Sequence, residues 1–78
     1  MEIMINDHLT LEVCIKNGRC NEMAAHCHVI REGVRVALVW IDPISIEPGH
    51  SLEESDCLDV ILVASRNRGA LISFYEYQ

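Results

Sequence analysis

The sequence predicts a mainly β domain of about five antiparallel strands, a meander followed by a C-terminal hairpin. Three observations predict it. Apolar and polar residues alternate with period two from Leu9 to Ile15, as a half-buried strand requires. Two turn signals, Asn17-Gly18 and Glu32-Gly33, cut residues 8–42 into strand-length pieces. A later run, Leu58-Asp-Val-Ile-Leu-Val-Ala64, is rich in β-branched residues and lacks a clear polar stripe.

The register of the first hairpin follows from which side chains must share the buried face. A two-residue loop would set Val13 opposite Glu22, an apolar residue against an acid. A three-residue loop over 16–18, with glycine as a bulge, sets Leu11 opposite Met23 and Leu9 opposite Ala25, and is the register expected. At the second turn the same reasoning pairs Val29 with Val36, Cys27 with Leu38 and Ala25 with Trp40. One face then carries Leu9, Leu11, Val13, Ile15, Met23, Ala25, Cys27, Val29, Val34, Val36, Leu38 and Trp40. The competing reading is α+β, with a helix over 21–32 capped by Asn21 and stopped by Gly33.

Asp42-Pro43 is expected to end the third strand, and residues 43–56 to form a polar connection. Ser51-Leu52-Glu53-Glu54 matches a capping box, which predicts a short helical turn near 51–56. Residues 57–77 are then expected to form the closing hairpin, its first strand buried on both faces. Curling into a small barrel or roll would remove the exposed edges.

Length and composition narrow the function. Seventy-eight residues form a single domain, 1–78. Twelve acidic residues against six basic ones give a net charge of −6, which argues against direct binding to a nucleic acid. The opening MEIMINDH lacks the basic start and apolar run of a secretory signal, and no stretch reaches the ~20 apolar residues of a membrane span. A cytoplasmic protein with reduced cysteines is expected.

Several groups are candidates for chemistry. The expected register sets His8 opposite His26, with His28 two residues along the same face; three imidazoles so placed can hold a divalent ion such as zinc. It also sets Cys14 opposite Cys20. Glu53, Glu54, Asp56 and Asp59 form an acidic patch that suits solvated turns or a mimic of nucleic-acid phosphates. Phe74, Tyr75 and Tyr77 form an aromatic segment that suits a subunit contact. No phosphate-binding loop, dinucleotide fingerprint, metalloprotease or nucleophile-elbow motif occurs. The function expected is therefore a small acidic non-catalytic interaction module that self-associates and binds a protein partner, with no cofactor. A metal-dependent protein using His8, His26 and His28, and a nucleic-acid-mimicking inhibitor, are the alternatives.

Overall fold

The structure is a computed structural model that describes residues 1–13 and 25–76. Five antiparallel strands form one open sheet in sequential order: β1 (Glu2–Met4), β2 (Leu9–Val13), β3 (His26–Arg31), β4 (Val34–Ile41) and β5 (Ile44–Pro48). Two helices follow, α1 (Glu54–Arg66) and α2 (Arg68–Glu76). The mainly β class with five antiparallel strands is as the sequence predicts; the sheet is open rather than closed into a barrel, with β1 and β5 as its edges.

Local chemistry explains each turn. Between β1 and β2 the Asn6 side chain accepts hydrogen bonds from the backbone N–H groups of His8 (2.8 Å) and Leu9 (3.0 Å), so an Asx-type turn reverses the chain. Glu32 (φ 49°) and Gly33 (φ 83°) both lie in the left-handed region, the conformation of a two-residue type I′ hairpin. Asp42 and Pro43 make the β4–β5 turn across a cis peptide bond.

Two registers differ from expectation. Leu11 pairs with Val29, Leu9 with Arg31 and Val13 with Cys27, so Met23 is not opposite Leu11. Cys14, Cys20 and the Asn17-Gly18 turn lie outside the described residues. Segment 26–31 is strand, not helix. Beyond the second turn, Ile30 pairs with Arg35 as expected, but a bulge between Val29 and Ile30 then shifts the ladder, so that Val29 meets Ala37 and His26 meets Trp40. One extra residue inverts every later side chain on β4. Val39 and Ile41 are consequently buried, whereas Leu38 and Trp40 are half-buried on the opposite face.

The C-terminal hairpin expected over 57–77 is replaced by helices. The helical turn expected near 51–56 begins at Glu54 and continues for 13 residues. The sheet provides the reason: β5 already supplies the fifth strand, leaving one apolar sheet face to be covered. Cys57, Val60 and Ala64 recur at helical spacing and meet that face, and Leu71 of α2 continues the contact. At the junction the Asn67 side chain donates to the Val63 carbonyl (2.8 Å), and its own carbonyl accepts from Leu71 N–H (2.9 Å). The core is thus Leu9, Leu11, Val13, Cys27, Val29, Val36, Val39 and Ile41 from the sheet, with Leu52, Val60, Ala64 and Leu71 above them. Each valine, leucine and isoleucine among them contributes roughly 1.5–3 kcal/mol by leaving water.

An ion pair ties the two layers. Arg31 lies on the helix-facing side of β3, and its Nη2 donates to Asp56 Oδ2 at 2.9 Å. Arg68 at the start of α2 pairs with Asp42 in the β4–β5 turn.

Candidate functional site

The two surfaces left by this architecture are the sheet face turned away from α1, whose His26 end Tyr75 of α2 approaches, and the outward face of α1. Alternation on the strands places Glu12, His26, His28, Ile30, Arg35, Leu38, Trp40 and Glu47 on the first. His26 is 7% exposed, its ring 5.4 Å from Trp40, 5.9 Å from His28 and 6.0 Å from Tyr75 between centroids. Trp40 Nε1 donates to Glu47 Oε1 at 2.9 Å, and Arg35 Nη2 lies 3.5 Å from Glu12 Oε1. Beside this cluster, Glu2, Thr10, Glu12, Ile30, Gly33 and Arg35 line an open depression of about 450 Å³.

Burial lowers the pKa of His28 below the usual imidazole value of 6.5, and the positive charges of Arg35 and His26 lower it further, against a smaller opposing effect of Glu12. The folded state therefore favours the neutral ring more than the unfolded chain does. Stability from this source is complete above the unfolded value and is lost as pH falls below about 6.5. Urea denaturation across pH 7.5 to 5 is expected to show a loss of stability that is shallower in His28→Gln; equal slopes would contradict the assignment.

The imidazole trio is not assembled. His8 is exposed and precedes Leu9, whose partner is Arg31, while His26 lies five residues further along β3, about 16 Å at strand rise. Ligands of one ion have to converge to ~2 Å from it. Among the described residues, His, Cys, Asp and Glu form no group of three or more suited to a metal ion. The acidic patch is divided: Asp56 turns inward to Arg31, whereas Glu53, Glu54 and Asp59 are exposed. Phe74 and Tyr75 are half-buried against the core, and Tyr77 lies outside the described residues.

The second surface was not anticipated as a surface. Val60 and Ala64 face the sheet, whereas Leu58, Ile61 and Leu62 are 64%, 41% and 50% exposed on the outer side of the same helix. The signal was present in Leu58-Asp-Val-Ile-Leu-Val-Ala64, whose apolar residues occupy two helical faces at once. A strand buried on both sides has the same composition.

No helix among the described residues is long and apolar enough to cross a membrane. Against models of known protein families, curated proteins and solved structures, the chain has no significant match.

Proposed function

We propose that the chain is a small non-catalytic interaction module that associates with a second copy of itself through the outward face of α1. One observation carries this reading: three large aliphatic side chains, Leu58, Ile61 and Leu62, stand exposed side by side on one helix. Single exposed leucines are ordinary, but a contiguous apolar stripe on a small acidic domain favours burial against another surface. Small size supports the same reading, because one thin core gains from the area a second copy covers.

Sedimentation or light scattering over micromolar concentrations is expected to give twice the 8.8 kDa chain mass, and Leu58→Glu/Leu62→Glu is expected to return it to one chain without loss of fold. A wild-type monomer throughout, or a doubly substituted chain that still pairs, would contradict the proposal.

A further inference from the structure

We infer that the two copies lie antiparallel along α1 about a two-fold axis at Leu62, with Asp59 of each copy facing Arg66 of the other. This rests on the self-association proposed above and specifies how the same face is used.

Helical spacing gives the face its layout. Ser55, Leu58, Leu62 and Ser65 follow one another by three, four and three residues, a seam with the a/d spacing of paired helices. Ile61 flanks the seam on one side. On the other side stand Asp59 and Arg66, seven residues apart and therefore on the same flank, separated by about 10.5 Å along the axis. All seven are exposed.

An antiparallel two-fold at Leu62 satisfies these positions together. Leu62 meets Leu62 at the axis, and Ile61 approaches its own counterpart. Leu58 falls over Ser65 of the second copy, where the small side chain leaves room for it. Asp59 comes within one residue, about 1.5 Å along the axis, of the level of Arg66 on the same flank, twice by symmetry, and Leu58 stands as close to the level of Ser65. A parallel pair would instead stack Leu58 on Leu58 and Leu62 on Leu62 but set the Asp59/Arg66 flank of each copy against the Ile61 flank of the other, so neither charge would meet an opposite one across the seam.

The ion-pair inventory points the same way. Of the four arginines among the described residues, Arg31, Arg35 and Arg68 each have a carboxylate partner, in Asp56, Glu12 and Asp42. Arg66 and Asp59 have no ion pair among the described residues. Glu54 and Asp56 lie in the first turn of α1 and Arg66 in the last, so antiparallel packing lays the acidic end of each helix toward the basic end of the other and opposes their dipoles. For a chain with net charge −6, this arrangement keeps the like-charged ends apart.

Charge reversal tests the arrangement. Asp59→Arg and Arg66→Asp are each expected to weaken dimerisation roughly tenfold in Kd, by losing two pairs and creating two repulsions. The combined D59R/R66D chain restores the pairs in reversed sense and is expected to return to within about threefold of wild type. Single reversals that leave Kd unchanged, or a combined variant as weak as either single one, would overturn the antiparallel arrangement. Loss of pairing in Leu58→Glu/Leu62→Glu reports separately on whether α1 is the contact face at all.

Discussion

Val60→Asp is expected to destabilise the monomer by about 4 kcal/mol, while Leu62→Asp, two residues later, leaves the monomer with stability within about 0.5 kcal/mol of wild type. Val60 is fully buried against the sheet. A carboxylate there finds no partner and costs about 4 kcal/mol, against a total of roughly 4–12 kcal/mol for a chain of this length. Leu62 points the other way, because two residues along a helix turn the side chain by about 200°. Urea denaturation followed by circular dichroism reads both. The contrast distinguishes α1 from the strand its composition suggests, in which residues 60 and 62 would share a face and fail together.

The second large effect is at Gly49, where β5 ends and the chain turns toward α1. A Cβ placed there would sit 1.8 Å from the carbonyl oxygen of Val36 and 2.7 Å from its carbonyl carbon. These are backbone atoms of β4 beside the bulge that re-aims Val39 and Ile41 into the core, so the clash cannot be relieved by a side-chain rotation. Gly49→Ala is expected to destabilise by about 3 kcal/mol. Gly69→Ala provides the contrast: nothing lies within 4 Å of a Cβ there, and in helix α2 the added methyl is expected to stabilise by roughly 0.5–1 kcal/mol. Equal effects at the two glycines would contradict the close approach of β5 to β4.

The residues explain which parts of this fold were legible. Leu9, Leu11 and Val13 alternate cleanly with Thr10 and Glu12, and Glu32-Gly33 admits few conformations but a tight turn, so β2, β3 and β4 were readable as antiparallel strands. β1 and β5 leave a weaker trace in the sequence. Glu2–Met4 is only three residues long, and Ile44-Ser45-Ile46-Glu47 carries the alternation of a strand but follows a proline that suggested a loop. The bulge at Val29/Ile30 has no local signature, since Val34, Val36 and Leu38 continue an alternation that fits either register, and its consequence was to put Trp40 on the wrong face. The helices were hidden by composition. Val60, Ile61 and Val63 are β-branched, and only the presence of a completed sheet with one uncovered face makes Cys57, Val60 and Ala64 the buried set.

The candidate site was less legible than the fold for the same reason. The bulged hairpin register puts His8 and His26 on a common face, and the β2–β3 pairing does not have that register. The apolar stripe of α1 could be recognised only once Val60 and Ala64 had been placed beneath it, because Leu58, Ile61 and Leu62 are indistinguishable from core residues in sequence.

Proton contacts between an isotopically labelled and an unlabelled copy, read by filtered nuclear Overhauser spectroscopy, test the self-association most directly. The predicted result is intermolecular contacts between Leu62 methyls, with further contacts from Leu58 to Ser65 and between the Ile61 side chains. Contacts that come instead from Phe74, Tyr75 or the β5 edge, or none at concentrations where the mass is doubled, would contradict it.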